Sequence, residues 1–385
     1  MNNVITRVSS NWKGLRKLWL KLFQNSEYKP EQPVGLSFRE IINSLYLGIL
    51  ERDAEKKGLE AGILDLQHGT PLSEIVRKMI TSDEFQFRLP PALESTVVLP
   101  DLTKMYPDKY FVNEAGMLIY LAPRDEDFAF MESLIMKHRY YDSLGVWAPK
   151  IDLDKRVTAS IVEGLGALSC LELGCFSGSV LSLLAERSID VCGVEVSHRA
   201  FMLAYPNIFQ NIRFGNFPDL EFDRTYDLIL CMDILEHVSP LSLDRYIARM
   251  TDLLSAHGYV FINSPMHGSD EVFGEMIAAY LPEWQQAGKD VFWRHLDCDA
   301  KGWPLHGHLI WADPKWWETT FQHHGLVRDK EIEKVLHALL EDFFKTMAPA
   351  RKSFFVLRRA DFHPDIENVR KSLERVISPV VAELH

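Results

Sequence analysis

The feature that most constrains this chain is the stretch LELGCFSGSVLSLL at residues 171–184. It begins as an apolar segment, turns through Gly174 and Gly178, and resumes with apolar residues at helical spacing. This order is typical of a strand, a tight loop and a helix. In an α/β sheet such a loop lies at the carboxyl end of a strand, where ligands bind and where helix N–H groups attract anions.

Strand-like and helical segments alternate from this stretch towards the end of the chain. The predicted strands are 170–175, 190–197, 212–217, 226–233, 259–265 and 353–360. The predicted helices among them are 177–188, 198–205 and 241–258. Regular alternation of this kind predicts an α/β domain with a parallel, doubly wound sheet.

Composition narrows the possible partners and the compartment. The 385-residue chain is long enough for more than one domain, and its formal net charge is −12. Nucleic-acid-binding proteins are usually basic on the binding face, so DNA and RNA are disfavoured as partners. The five cysteines form no Cys-x-x-Cys pair, which fits a reducing compartment. Because the sequence shows no bilayer-spanning run and no cleavable signal peptide, we expect a cytoplasmic protein.

Residues 1–35 form a basic amphipathic leader. Its apolar residues share one helical face and are Trp12, Leu15, Trp19, Leu22 and Phe23. Such a helix can lie on an anionic membrane surface, which would place the protein at the periphery of the inner membrane. The alternative is a helix that docks on its own protein or frays, and Gly14 favours that alternative because it weakens the helix.

Residues 36–90 have a helical apolar period and predict a small all-α accessory domain, in which Gly58 breaks the first helix and Thr70 caps the third. This part resembles a bacterial helical domain family of unknown function that is often attached to proteins that modify cell-surface sugars. The residues that carry the resemblance are Tyr46, Leu50, Arg52, Gly58, Gly69, Ser82, Glu84 and Phe85. It implies an interaction module, and residues 91–135 are expected to be a linker or pre-domain segment.

The glycine loop does not match two common phosphate-binding motifs. A P-loop requires Lys and then Ser or Thr after its last glycine, whereas Gly178 is followed by Ser179. A nicotinamide dehydrogenase would require a third glycine, which is missing here. Glu195 follows the next strand, 195 − 174 = 21 residues after Gly174, and its carboxylate can accept both hydroxyls of a ribose. The sequence therefore favours a ribose-bearing ligand without a pyrophosphate.

Four segments in this order resemble the class I S-adenosylmethionine-dependent methyltransferases, namely LELGCFSGS, VCGVEVS, YDLILCMDILEHV and HGYVFINSP. The resemblance covers about residues 140–360 and places the domain at 136–362, followed by a terminal helix at 363–385. It implies a Rossmann-like sheet of seven strands with the last strand antiparallel. It also implies S-adenosylmethionine as the cofactor.

The resemblance implies a set of cofactor-binding residues, which comprises Glu172, Gly174, Cys175, Phe176, Gly178, Glu195, Asn216, Phe217 and Asp233. Glu172, Gly174 and Cys175 would line the methionine end, and Gly178 would complete the turn. Glu195 would hold the ribose, and Asn216 with Phe217 would lie at the adenine. Phe176 stands where the family usually has a glycine, and Asn216 where it often has Asp, although an amide can still bond the adenine amino group. Singly, each residue has a structural alternative, such as a tight turn for the glycines or a buried filler for Cys175.

CMDILEHV ends the fourth predicted strand, and a helix that began there would place Asp233, Glu236 and His237 on one face. Three interpretations compete. Asp233 caps the helix; or His237 is the general base that accepts a proton from an acceptor hydroxyl; or the three bind a divalent cation, as the same stretch does in the ubiquinone-pathway O-methyltransferases that it resembles. We place the metal last and expect none.

Residues 266–312 are long for a plain connection and predict a lid over the acceptor. His308, in a Gly-His-Leu sequence that recurs in the family, is the second candidate for the base. The aromatic and histidine residues expected to contact an acceptor are Trp293, His295, Trp303, His306 and Trp311. Asp313 should begin the next helix, whose Trp316, Trp317 and Phe321 are expected to be core residues.

Together these features predict an S-adenosylmethionine-dependent methyltransferase with an N-terminal helical accessory domain. We expect O-methylation of a small molecule or of a sugar in a surface glycan. The glycan rests on the proteins that usually carry the helical domain. The alternative is a non-catalytic scaffold that retains the methyltransferase fold and binds a partner through residues 36–90.

Overall fold

A computed structural model describes residues 37–49, 54–70, 72–80, 97–143, 150–286 and 293–384. The chain divides into two compact units, residues 1–93 and 94–385. The predicted leader, residues 1–35, lies outside the described residues. No described helix is long and apolar enough to cross a membrane.

The first unit is helical, as its apolar period predicts. It contains α1 (Phe38–Ile49), α2 (Lys56–Gln67) and α3 (Leu72–Ile80). Side chains from all three helices form one small core: Ile42, Leu45, Leu59, Ile75, Val76 and Met79. The unit therefore buries an apolar face of each helix.

The prediction that Gly58 breaks the first helix is wrong, because Gly58 lies inside α2. A Cβ at this position would lie 2.1 Å from the hydroxyl oxygen of Tyr46 on α1. Glycine is thus needed for the close approach of the tyrosine and not for ending a helix. The contact brings together two residues that carry the family resemblance, whereas Leu50, Arg52, Ser82, Glu84 and Phe85 lie outside the described residues.

The second unit begins with a short helix, a hairpin and a longer helix. These elements are α4 (Leu102–Met105), β1 (Tyr110–Val112), β2 (Leu118–Leu121), α5 (Asp125–Lys137) and α6 (Tyr140–Ser143). The segment expected to be a linker therefore carries ordered structure from residue 97 onwards. Its β2 strand pairs with a strand near residue 295, far along the chain.

The central sheet has seven strands. The elements in chain order are α7 (Leu153–Gly164), β3 (Ser169–Leu173), α8 (Ser179–Glu186), β4 (Asp190–Glu195), α9 (His198–Met202), β5 (Ile212–Phe214), β6 (Tyr226–Met232), α10 (Pro240–Leu253) and β7 (Leu254–Asn263). They are followed by β8 (Ser269–Asp270), β9 (Gly274–Glu275), α11 (Pro282–Gln286), β10 (His295–Cys298), α12 (Pro314–His323), β11 (Leu326–Arg328), α13 (Lys330–Leu339), α14 (Glu341–Thr346), β12 (Phe354–Arg359) and α15 (Ile366–Val381).

The strand order confirms the predicted Rossmann-like sheet. It runs β11-β12-β7-β6-β3-β4-β5. The strands from β3 to β7 pair in parallel, and β12 is antiparallel to both β7 and β11. The buried apolar runs of β3 and β6 suit strands that are covered by helices on both faces.

A second, three-stranded sheet of order β1-β2-β10 joins the start of this unit to the predicted lid. We call residues 97–143, 266–286 and 293–312 together the cap. His295 on β10 is paired with Leu121 on β2, so the cap is built from two segments that are distant in sequence. The lid is therefore half of a small folded layer.

Two predicted element boundaries are corrected around the fourth predicted strand. Residues 233–239 do not begin a helix; Leu235–His237 form one 3₁₀ turn, and α10 begins only at Pro240. At its other end α10 stops at Leu253, because Leu254 begins β7 and pairs with Tyr226 of β6; the pairing continues from Tyr259 after an irregularity. Tertiary pairing thus overrides the helical pattern of residues 254–258.

Candidate active site

A cavity of about 1230 Å³ lies at the carboxyl ends of β3, β4 and β6. Helix α5 and residues 275–277 of the cap form the opposite wall. The volume exceeds the usual range of about 300–1000 Å³ for a pocket that holds one ligand. This is the end of a doubly wound sheet where ligands bind, and there is room for two of them.

The glycine loop forms one wall because two of its positions cannot carry a side chain. Gly174 has φ 63°, and a Cβ there would lie 2.0 Å from Cδ1 of Ile234. Gly178 has φ 71°, and a Cβ there would lie 2.4 Å from Cδ1 of Ile208. Both the backbone conformation and the space require glycine, so these two residues shape the loop. Gly178 itself does not border the cavity among the described residues.

Phe176 occupies the middle of the loop with φ 50°. A residue with a side chain in this conformation costs about 1–3 kcal/mol and needs support from its surroundings. Its backbone N–H donates to Oε2 of Glu195 at 2.8 Å. The carboxylate expected to hold a ribose therefore also holds the strained loop in place.

Glu195 is almost fully buried and well provided with donors. Its Oε1 accepts hydrogen bonds from the backbone N–H groups of Val196 at 2.8 Å and Ser197 at 2.7 Å. Burial raises the pKa of Glu195, and these bonds partly offset that effect. The side chain is thus fixed at the end of β4 with its direction set by the backbone.

Glu172 has fewer hydrogen-bond partners than Glu195, the other buried carboxyl group at this end of the cavity. Its Oε2 has no hydrogen-bond partner among the described residues. Burial, and secondarily the charge of Glu195, raises the pKa of Glu172 to about 8. A buried, unpaired carboxyl oxygen on a cavity wall fits a cationic or hydroxyl-bearing ligand. The residues at this end therefore suit S-adenosylmethionine, which carries an ammonium, a sulfonium and a ribose.

Cys175 also borders the cavity, and burial raises the pKa of its thiol well above the usual value. A buried neutral thiol is a weak nucleophile, so its contribution is to the shape of the wall.

The predicted adenine end contains Asn216 and Phe217, which both border the cavity. The Phe217 ring is buried and lies 5.8 Å, centroid to centroid, from the ring of Tyr246. The Asn216 side chain is engaged on both sides. Its Nδ2 donates to Oδ2 of Asp219 at 2.6 Å, and its Oδ1 accepts from the hydroxyl of Tyr246.

Asp233 lies on the cavity wall with φ 54° and does not cap a helix. Its Oδ2 accepts from Nη1 of Arg351 at 2.5 Å. The same guanidinium donates through Nε to both carboxylate oxygens of Asp154 and through Nη1 to Asn263. Arg351 thus supports the strained aspartate and joins the ends of β6 and β7 to α7.

The two candidate bases lie side by side. The rings of His237 and His308 are 4.8 Å apart, centroid to centroid. Backbone N–H groups of Leu309 and Ile310 donate to the carbonyl oxygen of Glu236 at 2.6 and 2.9 Å, which ties the lid to this turn. Burial lowers the pKa of His237 to about 4 and, with its histidine neighbours, also lowers that of His308. Both imidazoles are therefore neutral near pH 7 and able to accept a proton.

The tautomer of His237 follows from its partner. Its Nδ1 lies 3.1 Å from the carbonyl oxygen of Gly307, and a carbonyl oxygen only accepts. Nδ1 must then carry the hydrogen, which leaves the lone pair on Nε2. No such partner sets the tautomer of His308, since its Nδ1 is buried without a hydrogen-bond partner among the described residues.

Glu236, His237 and His308 each offer one ligand atom, and these atoms lie within 4.8 Å of one another. Glu236 is fully buried, and its Oε1 has no partner among the described residues. Two imidazoles and one carboxylate suit a transition-metal ion or zinc better than magnesium. The group differs from the predicted metal set, because the carboxylate of Asp233 is bound to Arg351 and His308 takes its place.

Most of the predicted acceptor-binding aromatics are located in the core. Trp293 stacks between Trp284 and His267, with ring centroids 4.4 and 3.5 Å away. Trp303 is fully buried, and its indole N–H donates to the carbonyl oxygen of Pro100 at 3.0 Å. Trp311 is buried beside His308.

These three side chains and His295, which is part of β10, do not border the cavity among its described lining residues. Trp293, Trp303 and Trp311 are buried, whereas His295 is partly exposed on β10. His306 does border the cavity. Trp317 and Phe321 lie in the core, and Asp313 caps α12 by accepting from the N–H of Trp316 at 2.7 Å.

Four cavity residues have no signal in the sequence: Glu132, Tyr141, Tyr246 and Arg351. Glu132 on α5 accepts from both the backbone N–H and the hydroxyl of Ser239, at 3.0 and 2.9 Å. Each of the four reaches the cavity from an element with an ordinary amphipathic or irregular pattern. Only the tertiary arrangement brings them to the site.

Comparison with known proteins identifies the family to which a chain with this fold and site belongs. Residues 138–339 match the model of a methyltransferase domain family, which is more than half of the chain. Among curated relatives, the ubiquinone biosynthesis O-methyltransferase of Nitrosomonas europaea is 26% identical over 143 residues, covering 34% of this chain and 58% of the relative. The protein of the same name from Rickettsia akari is 23% identical, covering 34% of this chain and 53% of the relative. The chain thus spans about half the length of these curated relatives.

Solved structures that resemble the chain include a Burkholderia thailandensis 1,6-didemethyltoxoflavin N1-methyltransferase, with 17% identity, TM-score 0.40, and coverage of 66% of this chain and 100% of that one. A sugar N-methyltransferase from a Streptoalloteichus species has 18% identity, TM-score 0.35, and coverage of 54% and 88%. The family match agrees with the strand order and its antiparallel β12. The chain belongs to the class I S-adenosylmethionine-dependent methyltransferases.

Proposed function

We propose that this chain transfers the methyl group of S-adenosylmethionine to a hydroxyl group of a small-molecule acceptor. The observation that carries the proposal is the two-ended cavity. One end has the glycine loop with Glu172 and Glu195, and the other has the neutral His237–His308 pair. A cofactor and an acceptor bound at these two ends would face each other within one enclosed space.

At the cofactor end, the proposed roles follow from the donors and acceptors in place. Glu195 is the acceptor for the ribose hydroxyls, and Glu172 lies close to the cationic methionine part. Asn216 and Phe217 hold the adenine, and Asp233 with Arg351 forms the neighbouring wall. When bound, S-adenosylmethionine supplies a methyl group activated by its sulfonium.

At the acceptor end, His308 or His237 accepts the proton of the attacking hydroxyl. The lone pair of His237 is on Nε2, and Nδ1 of His308 has no hydrogen-bond partner among the described residues. Positioning in a water-poor cavity would contribute most of the acceleration, and the base a further factor of about 10²–10⁴. If a metal ion is present, Glu236, His237 and His308 would hold it, and it would lower the pKa of the acceptor hydroxyl.

The acceptor we propose is a small molecule or a sugar of a surface glycan, and one observation points to the sugar. Its support is the helical unit of residues 36–90, which resembles domains found on proteins that modify cell-surface sugars, and is an argument by association. The curated relatives are named for O-methylation in ubiquinone biosynthesis, which favours oxygen as the accepting atom. A screen with methyl-labelled cofactor should therefore begin with sugars and then test phenols.

The alternative is a non-catalytic scaffold, and calorimetric titration with S-adenosylmethionine and S-adenosylhomocysteine is the first test. Micromolar binding of both is expected. If neither binds, the proposed function fails. The next experiment is then a search for proteins that bind residues 36–90.

The leader and the helical unit are proposed as contacts to a membrane surface or to another protein. Removing residues 1–25 should abolish sedimentation with vesicles that contain anionic lipid, because the basic and apolar faces of the leader would be lost. Absence of vesicle binding by the full chain would end the membrane part of this proposal.

A further inference from the structure

At the predicted adenine end, the side-chain amide of Asn216 is bonded on both sides. A carboxylate only accepts hydrogen bonds, so the atom of Asn216 that faces Asp219 must be the amide nitrogen. The oxygen then faces the hydroxyl of Tyr246, which donates to it. The chemistry of the two neighbours thus selects one of the two flip states of the amide.

The two neighbours are themselves held in place. Oδ1 of Asp219 accepts from Nη2 of Arg245 at 2.7 Å, and Arg245 lies on α10. Tyr246 packs against Phe217, which follows Asn216 directly. Arg245 and Tyr246 are adjacent on α10, so one helix fixes both sides of the amide.

We infer that Tyr246 and Asp219 are positioning residues that lock the Asn216 amide and thereby make the cofactor site selective for adenine. After its two bonds, the amide retains one acceptor site on Oδ1 and one N–H on Nδ2. Adenine offers the complementary pair, an amino N–H beside a ring nitrogen that accepts. The inference rests on the proposed function, in which Asn216 lies at the cofactor base.

The lock matters because an unlocked amide is not selective. Replacing the adenine amino group by a carbonyl oxygen, as in hypoxanthine, reverses the donor and acceptor at that position. A free amide can flip and bond either base. A locked amide would place Oδ1 against the carbonyl oxygen, so hypoxanthine should be rejected.

The lock also accounts for Asn216 where the family often has Asp. An Asp at this position would place two carboxylates within hydrogen-bonding distance, because Nδ2 of Asn216 lies 2.6 Å from Oδ2 of Asp219. Like charges at that distance disfavour ionisation of both groups. The amide and Asp219 therefore belong together.

The test compares the dissociation constants of S-adenosylhomocysteine and its deaminated analogue S-inosylhomocysteine by calorimetry on the full chain. The wild type should prefer the adenine compound about 10- to 100-fold, the range of one good bidentate contact to a base. Tyr246→Phe removes only the hydroxyl and should lower this ratio several-fold. Tyr259→Phe, a buried tyrosine on β7 outside the cavity lining, should leave it unchanged.

A second pair of variants tests the Asp219 side. Asn216→Asp should weaken binding of S-adenosylhomocysteine because two carboxylates then face each other. Adding Asp219→Asn should restore part of this loss, because the repulsion is removed while the N–H towards the ring nitrogen of adenine stays absent. If Tyr246→Phe binds neither compound, the ratio of the two dissociation constants is measured for Asp219→Asn instead. A ratio below that of the wild type supports the inference, and an unchanged ratio contradicts it.

Three outcomes would overturn the inference while the proposed function stands: equal binding of both compounds by the wild type, an unchanged ratio in Tyr246→Phe, or no restoration in the double variant. Failure of the wild type to bind S-adenosylhomocysteine would instead overturn the proposed function.

Discussion

The two halves of the cavity are built in different ways. Most of the half proposed to bind the cofactor comes from strand ends and loops within residues 172–217, to which Asp233, Tyr246 and Arg351 add from later in the chain. The acceptor half joins His237 to His308 and Tyr141, which come from three separate parts of the chain. A cofactor frame can thus be kept within one stretch, while the acceptor wall depends on distant segments that pack together.

The two halves also differ in how well their polar groups are satisfied. Glu195 in the cofactor half accepts three backbone hydrogen bonds. In the acceptor half, Oε1 of Glu236 and Nδ1 of His308 are buried without a partner among the described residues. Buried polar atoms without partners are costly, so such atoms mark places where a ligand, an ion or a proton is expected. The glycine loop and Glu195 are thus preorganised, whereas Oε2 of Glu172 in the cofactor half and both of these acceptor-half atoms still lack a partner that a bound ligand could supply.

The largest expected effect separates chemistry from cofactor binding. His308→Ala should reduce turnover about 10²–10⁴-fold, because the acceptor hydroxyl loses its base. The affinity for S-adenosylhomocysteine should stay the same, since His308 belongs to the other half. Turnover and calorimetry measure the two, and His323→Ala, an exposed histidine on α12, is the matched control.

A fully active His308→Ala protein would transfer the role of base to His237. Dialysis of the wild type against a chelator, followed by metal analysis and assay, distinguishes a protein base from a bound ion. Loss of activity that zinc or another transition metal restores would assign the role to the ion.

The next effect tests how rigid the cofactor half is. Gly174→Ala should lower the free energy of unfolding by about 2–4 kcal/mol and abolish cofactor binding, because the new Cβ meets Ile234 and the backbone is strained. Gly116→Ala, in the cap, has a similar φ of 78° but no atom within 4 Å of the new Cβ. It should cost only about 1 kcal/mol. Equal losses in denaturant titrations would show that space at Gly174 is not limiting.

A smaller effect concerns Glu195, whose carboxylate is bonded to the loop and is proposed to bind the ribose. Glu195→Gln should weaken S-adenosylhomocysteine binding by about 1–3 kcal/mol, since the amide offers one acceptor oxygen where three N–H donors point. Calorimetry measures the change. An unaltered dissociation constant would remove Glu195 from the cofactor site.

The smallest effect is a pH dependence in the ligand-free protein. Because the pKa of Glu172 is raised to about 8, the folded protein binds its proton more tightly than the unfolded chain does. The stability that this adds is fully present below the unfolded pKa and is lost as pH rises through about 8. Glu172→Gln should match the wild type near pH 5 and be more stable near pH 8. Parallel unfolding curves of the two proteins from pH 5 to pH 8 would contradict this.

The positions of the residues proposed to bind the cofactor followed from the sequence more closely than those of the residues proposed to line the acceptor end. Gly174, Glu195 and Asn216 stand at fixed offsets from strand ends, so their places in the sheet follow once the strands are known. Spacing could not show that Trp303 points into the core, because nothing in an irregular segment indicates which face a side chain takes. Arg351 reaches the site only through contacts with Asp154 and Asp233, which are distant in sequence.

Two helix boundaries were predicted wrongly for a related reason. Residues 254–258 were predicted to extend α10, yet β7 begins at Leu254, which pairs with Tyr226 of β6. The turn at Leu235–His237 is likewise decided by the lid residues that bond to the carbonyl oxygen of Glu236. Local patterns predict local structure well only where no distant partner competes for the backbone.

The pairing of β2 with β10 has a consequence for the order in which the protein is made. Leu121 must wait for His295, 295 − 121 = 174 residues later, before its sheet partner leaves the ribosome. At about 5–20 residues per second, this wait lasts roughly 10–35 s. During that time β1 is the only one of the two strand partners of β2 that has been synthesised. The face of β2 that is buried in the folded protein is then exposed to solvent. The nascent chain therefore acquires the central parallel strands of its cofactor frame before it can close its acceptor chamber, and a chaperone that shields the early hairpin would act in this interval.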